Sequence, residues 1–146
     1  MSFAQISLKG RALRLLSGRE HSRFELEQKL KRFEQAPGTL ERALDELQAK
    51  GFINEQRVIE SVLHGRAAKL GSARIKQELQ GKGLDRQAVS AALADLQASE
   101  HERAQEIWRK KFGALPTDAQ AAAKQMRFLM SRGFSSEVIR RVVTDA

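Results

Sequence analysis

The sequence predicts an all-α protein made of three tandem three-helix repeats in an elongated array that can curve. Three observations carry this expectation. First, the 146 residues are rich in Leu, Ala, Gln, Glu, Lys and Arg, which lose little side-chain freedom in a helix. Proline occurs only at Pro37 and Pro116, tyrosine is absent, and no stretch alternates long enough to read as a strand. Second, the apolar pattern repeats: Leu26, Leu30, Leu40, Leu44 and Leu47 meet Ile75, Leu79, Val89, Leu93 and Leu96 at an offset of 49 residues. A further offset of 50 carries Leu79, Leu84, Val89 and Leu93 onto Leu129, Phe134, Ile139 and Val143. Third, a glycine turn recurs with them. Lys82-Gly83-Leu84-Asp85 matches Arg132-Gly133-Phe134-Ser135, each a helix end with left-handed glycine, an apolar residue folding back, and the next N-cap. Lys50-Gly51-Phe52 reads as the same device at another boundary.

Taken in order, the first repeat (1–47) offers three apolar stripes: Leu8, Ala12, Leu15 and Leu16; then Leu26, Leu30 and Phe33; then Leu40, Ala43, Leu44 and Leu47. Ser22 and Glu25 form a capping box that opens the second helix, and Pro37-Gly38-Thr39 breaks the chain before the third. The second repeat (48–98) places Ile59, Leu63, Ala67 and Leu70 on one helix, Ile75 and Leu79 on the next with Ser72 as its cap, and Val89, Ala92, Leu93 and Leu96 on the last with Asp85 as its cap. The third repeat (99–146) holds Ala104, Ile107, Trp108 and Phe112, whose shared face reads as core. Each unit by itself has room for only a thin core.

No residue set supports a reaction. His21, His64 and His101 stand one per repeat, with no pair at helical ligand spacing, so they read as surface or cap-region residues and no zinc, iron or other metal site is expected. Gly81-Lys82-Gly83 has neither the Ser/Thr nor the preceding strand of a phosphate loop. The carboxylates are scattered along helix faces, where ion pairing accounts for them. The chain is therefore expected not to be an enzyme and to need no cofactor. Cysteine is absent, which excludes disulfides and thiol chemistry and fits a reducing compartment. Polar residues interrupt the segment Met1–Leu8, so neither a signal peptide nor a membrane span is expected, and the cytoplasm is the expected location.

Charge is more informative. The formal net charge is +8 with a pI near 10.3, an excess that draws a chain to polyanions through counterion release. Lys9, Arg11, Arg14, Arg19, Arg23, Lys29, Lys31 and Arg32 crowd the first two helices. Arg66, Lys69, Arg74, Lys76 and Lys82 surround the fifth, and a further basic group from Arg103 to Arg141 fills the last repeat. Acidic blocks at Glu41–Glu60 and Asp85–Glu106 lie between them. Such alternation suits a surface that meets both phosphates and a protein partner, and it also suits ordinary solvated helix faces. Two residues break their local pattern. Arg66 falls inside the apolar arc of Ile59, Val62 and Leu63, where it must pair with an acid of a neighbouring helix, snorkel, or face a partner. Phe128 lies opposite Met126 and Met130, either plugging the joint with the preceding repeat or serving as an exposed anchor.

Three motifs in register resemble one family. Arg19-Glu20-His21-Ser22-Arg23-Phe24-Glu25-Leu26 with Lys29-Leu30 resembles the first-repeat signature of RecX proteins. So do Arg66-Ala67-Ala68-Lys69-Leu70-Gly71 leading into Arg74-Ile75-Lys76-Gln77-Glu78-Leu79-Gln80-Gly81-Lys82-Gly83-Leu84, and Arg127-Phe128-Leu129-Met130-Ser131-Arg132-Gly133-Phe134 followed by Val138-Ile139. Each motif alone is weak, but three in order over nearly the whole chain are specific. The chain departs from the family at Val58, where phenylalanine is usual, at Ser72, where proline is frequent, and in its short N-terminal tail.

The resemblance implies a regulator, mainly an inhibitor, of the RecA recombinase that sits in the groove of the RecA–DNA filament and suppresses ATPase and strand exchange. It implies RecA and its filament as partners, with weak direct DNA contact, no membrane, and a monomeric chain. Within it, Arg66, Lys69, Arg74, Lys76 and Lys82 are the expected central contact surface, helped by Arg132, Arg140 and Arg141. Charge reversal at Arg74 and Lys76 is expected to weaken inhibition with helical content intact. Two other classes fit the residues. A sequence-nonspecific DNA- or RNA-binding module would bind naked nucleic acid with a steep salt slope, although aromatics are only 5% and mostly at core spacing. A protein-binding adaptor with incidental charge would ignore DNA.

Overall fold

The computed structural model describes residues 6–145, with the side chain of residue 145 left aside. Residues 1–5, on which most of the reading of the N-terminal segment rests, and residue 146 lie outside the described residues. Among the described residues nine α-helices follow one another: α1 (Leu8–Gly18), α2 (Arg23–Leu30), α3 (Thr39–Ala49), α4 (Glu55–Arg66), α5 (Ser72–Gly81), α6 (Arg86–Gln97), α7 (Glu100–Lys111), α8 (Ala119–Ser131) and α9 (Ser136–Asp145). A single 3-10 turn, Lys31–Phe33, follows α2, and there is no strand among the described residues. The all-α expectation holds. Among the described residues no helix is long and apolar enough to cross a membrane.

The chain divides into two compact units. Unit one runs to Ser61 and includes the turn Lys82–Leu84; unit two comprises Val62–Gly81 and the chain from Asp85 onward. In unit one, α1 packs on α3, with α2 against both. Its core is Ala12, Leu26, Leu30, Leu40, Leu44, Leu47 and Ile53, the stripes expected from periodicity plus one residue more. Val58, one of the departures from the family pattern, is also buried. Local chemistry sets the ends of these helices. Ser7 accepts from the Gly10 N–H at 3.0 Å to start α1. The capping box is complete at α2: Ser22 Oγ accepts from the Glu25 N–H, and Glu25 Oε1 accepts from the Ser22 N–H. The Glu34 carboxylate accepts from the Leu40 N–H at 2.9 Å, which closes the start of α3.

At the end of α3, Gly51 adopts φ 84° and the Phe52 N–H reaches back to the Leu47 carbonyl at 2.9 Å. The expected apolar plug, however, is not Phe52. That ring stays 47% exposed, and Ile53 enters the core at 4%.

In unit two, α7 and α8 pack on α9, and α5 packs on α6. Ala104, Trp108, Leu129, Phe134, Ile139, Val142 and Val143 form one core cluster, with Trp108 in the place its spacing assigned. The Trp108 indole N–H donates to Gln125 Oε1 at 2.8 Å, and the Gln125 amide donates to the Ala114 carbonyl at 3.1 Å, so this buried polar pair is satisfied. Phe128 packs edge-on against Phe112, with ring centroids 5.5 Å apart, at the border of this same cluster. The sequence left it either plugging the joint with the preceding repeat or exposed as an anchor; Phe112, at the C-cap of α7, takes it, and the ring is half-buried.

Ser72 corrects another expectation. It is the first helical residue of α5, not its side-chain cap, and its buried hydroxyl has no hydrogen-bond partner. Gly71 occupies the cap position, its carbonyl accepting from the Ile75 N–H. Backbone from the α8–α9 turn does the capping: the Gly71 N–H donates to the Arg132 carbonyl at 2.7 Å and the Ala73 N–H to the Gly133 carbonyl at 3.2 Å. At Gly71 a Cβ would lie 2.5 Å from the Gly133 carbonyl carbon and oxygen, so only glycine admits this approach. Gly133, at φ 90°, is glycine for its own conformation and because the Arg74 side chain lies across it.

Candidate functional site

The eight basic positions singled out in the sequence fall into different physical situations. Lys69 and Lys76 are exposed and have no carboxylate partner among the described residues. Arg140 and Arg141 are exposed on α9 and, with Glu137 and Thr144, line a shallow depression of about 420 Å³. Among the described residues none of these four cations forms an ion pair with a carboxylate. Arg66 ends α4 and pairs with Glu78 of α5 at 3.3 Å, while 52% of its side chain stays exposed. Its place inside the apolar arc is thus resolved by an acid on the neighbouring helix. The other Glu78 oxygen is buried without a hydrogen-bond partner, so Arg66 is the cation that holds this carboxylate.

Arg74 and Arg132 come together where the start of α5 meets the end of α8. The Arg74 guanidinium donates to the Ser131 carbonyl at 2.7 Å, at the C-terminal end of α8 where a cation is favoured. The Arg132 guanidinium lies 4.9 Å from the Phe128 ring centroid. Both charges remain available to an anion, yet both side chains also hold unit two together. Lys82 is different again. It belongs to unit one, its ammonium is 3.2 Å from Glu25 and its side chain is only 16% exposed. Its carbonyl accepts from the Ser22 hydroxyl at 2.6 Å. The structure therefore does not gather Lys82 into one unit with the other seven.

Three residues take roles that sequence reasoning did not assign to them. Glu25 is the charge hub of unit one, receiving Arg19 at 2.8 Å, Lys82 at 3.2 Å and the Ser22 N–H at 2.9 Å. Burial alone would raise its pKa, but these three donors outweigh it and hold the carboxyl down at about 2. His21 was read only as a surface or cap-region residue. It does precede the α2 cap, but it is buried, with Nδ1 3.1 Å from the Arg19 carbonyl and Nε2 3.0 Å from the Lys29 ammonium. Those partners select the neutral tautomer that donates from Nδ1 and accepts at Nε2. Burial, with the Arg19 and Lys29 charges, lowers its pKa.

Arg103, counted in the sequence as one more surface cation, is the third. It donates to the carbonyls of Ala67 at 2.9 Å, Leu70 at 2.7 Å and Leu96 at 3.2 Å, and to the Ser99 hydroxyl at 3.1 Å. Burial pulls its pKa below the ordinary arginine value, with Glu100 opposing. Its position four residues before Ile107, at the border of the α7 apolar stripe, is the sequence signal that it faces inward.

Among the described residues no group of three or more His, Cys, Asp or Glu is arranged to hold a metal ion. What the arrangement offers is electrostatic: exposed cations carried on a helical scaffold.

Comparison with known proteins gives this scaffold relatives. Residues 9–47 match the family model described as RecX, first three-helix domain; residues 54–93 match the second three-helix domain and residues 98–143 the third. The chain is 53% identical over 139 residues to regulatory protein RecX of Leptothrix cholodnii, covering 95% of this chain and 88% of that protein. It is 48% identical over 141 residues to regulatory protein RecX of Herbaspirillum seropedicae, covering 97% and 92%. Among solved structures, a crystal structure of RecX from Lactobacillus salivarius superposes with a TM-score of 0.73 at 22% identity, over 94% of this chain and 93% of that one. A crystal structure of a regulatory protein RecX gives a TM-score of 0.76, also at 22% identity, over 92% and 70%.

Proposed function

Since the chain belongs to the RecX family, whose named members are regulatory proteins, we propose that it modulates the RecA recombinase, mainly by inhibition. In this reading it binds in the groove of the RecA–DNA filament and suppresses ATP hydrolysis and strand exchange by occupying binding surface, with no bond made or broken. The observation that supports it best is the set of open cations on unit two: Lys69, Lys76, Arg140 and Arg141 carry charge that no carboxylate of the described residues neutralises. A polyanionic assembly is the natural complement of such a surface, and association steered by it is fast and salt-sensitive. Arg66, Arg74 and Arg132 add charge at the same unit while serving its packing. Lys82 contributes through the Glu25 network.

RecA-catalysed ATP hydrolysis on single-stranded DNA, with this protein titrated in and free DNA added as competitor, tests the reading. Inhibition well below one protein per RecA, resistant to extra DNA, is expected. Inhibition that appears only at DNA-coating concentrations, and that extra DNA relieves, identifies a general nucleic-acid binder instead. The structure also selects the variant. Reversal at Arg74 would break its bond to Ser131 and disturb its packing on Gly133, so Lys69→Glu with Lys76→Glu is the cleaner pair. It is expected to weaken inhibition about tenfold with the helical circular dichroism unchanged. Undiminished inhibition would remove the central surface from the model.

A further inference from the structure

The crowd of cations on the first two helices is not neutralised evenly. Among the eight from Lys9 to Arg32, Lys9 pairs with Glu46, Arg19 with Glu25, and Arg23 with Glu27 and Asp45. Arg11, Arg14, Lys29, Lys31 and Arg32 have no carboxylate partner among the described residues. Four of these five line one groove of about 600 Å³ in unit one, between α1 and α2 with its 3-10 turn. Gln28, Phe33 and two leucines complete the lining, and no acid enters it. The Arg11 guanidinium lies 3.8 Å from the Phe33 ring centroid and the Arg32 guanidinium 4.7 Å from it. His21, neutral and accepting from Lys29, holds that ammonium at one side of the α2 helix without cancelling its charge.

Four cations held together without a counter-charge repel one another. An arrangement of this kind is stabilised by an anion with several negative groups in a row. An arginine plane seated on an aromatic ring also offers a flat surface to a base. We propose that this groove is a binding site for single-stranded nucleic acid: Arg14, Arg32 and Lys29 hold successive phosphodiester groups, and the Arg11–Phe33 pair receives a base. The site belongs to unit one, and the inference does not rest on the RecA reading.

The test contains no RecA. Binding of a fluorescent oligothymidylate to the full chain is measured by anisotropy across a range of salt concentrations. Arg14→Glu with Arg32→Glu is compared with Arg42→Glu with Lys50→Glu, an equal change of charge on exposed positions of α3 and its C-cap, outside the groove. The groove pair is expected to weaken binding at least tenfold, and to reduce the slope of log affinity against log salt by about 1.4, the value for two lost phosphate contacts on a single strand. The α3 pair is expected to change affinity less than threefold. Gln28→Lys, which adds a cation at the rim and gives up only the exposed hydrogen bond from Lys31, is expected to tighten binding about threefold. Equal losses from both reversal pairs, or a groove reversal without effect, would overturn the assignment. So would equal binding of an oligomer of abasic units, which reduces the groove to a phosphate site. Displacement of the oligomer by ATP at matched phosphate concentration would reassign it to free nucleotides.

Discussion

A guanidinium carries five N–H donors in one plane, and Arg103 uses that geometry to close two helix ends at once, through Ala67 and Leu70 after α4 and Leu96 in α6. An ammonium keeps the charge but cannot span these carbonyls. Arg103→Lys is expected to destabilise unit two by about 2 kcal/mol, because the part-buried carbonyls of Ala67 and Leu70 lose the fork that serves both. Trp108, the single tryptophan, lies in that unit's core and reports its unfolding in urea. An unchanged midpoint would show that charge alone suffices. Glu25 and His21 give unit one its pH response. The Glu25 carboxyl titrates at about 2 in the fold against 4.5 in the unfolded chain, so the unfolded state binds the proton first as pH falls. Its stabilisation is full above pH 4.5 and is lost between there and about 2. His21 has a lowered pKa, so its neutral form is favoured in the fold and stability also declines as pH falls below 6.5. Glu25→Gln is expected to cost about 2 kcal/mol at pH 7 and to flatten the acid limb of the thermal midpoint followed by circular dichroism. A limb of unchanged steepness would assign acid sensitivity elsewhere.

At the scale of the element, the glycine turns carry the architecture. The turn Lys82–Leu84 meets the start of α2 through the Ser22 hydroxyl and the Lys82 carbonyl, and the turn Arg132–Phe134 meets the start of α5 through the Gly71 N–H and the Arg132 carbonyl. The same device is therefore built twice, once with a side-chain donor and once with a backbone donor. Where the backbone donates, the two chains approach so closely that a methyl group has no room. Gly71→Ala is expected to lower unit-two stability by about 3 kcal/mol, read as a shift in the Trp108 unfolding midpoint, since rigid backbone must move. Gly65→Ala in α4 meets nothing within 4 Å and is expected to raise stability by about 0.5 kcal/mol through helix propensity alone. Equal effects at the two positions would show that close approach is not what Gly71 provides.

At the scale of the whole molecule, a net charge of +8 is distributed unequally between paired and open cations. Arg19, Arg23, Arg57, Lys82 and Arg109 are held by carboxylates, whereas among the described residues Lys69, Lys76, Arg140, Arg141 and the groove cations of unit one have no carboxylate partner. The inhibition and oligonucleotide experiments therefore probe different units, and their outcomes separate a filament regulator from a general binder.

Much of this was legible in the chain. Apolar spacing located the helices because burial requires one stripe every turn, and Ser22–Glu25, Asp85 and Ser135 acted as caps because capping is a contact between near neighbours in sequence. Three motifs in order identified the family for the same reason: they are strings of residues. What the linear pattern did not hold was which distant groups meet. Ser72 looked like a cap, but the Arg132 and Gly133 carbonyls arrive from sixty residues away and make a side-chain cap unnecessary. Phe52 yielded its core place to Ile53, and Phe128 found Phe112. Among the basic residues, sequence alone determined their number and their grouping. Only the tertiary structure decided which are neutralised, because a carboxylate or carbonyl within 3–4 Å turns a cation into a structural tie and its absence leaves a charge for a partner.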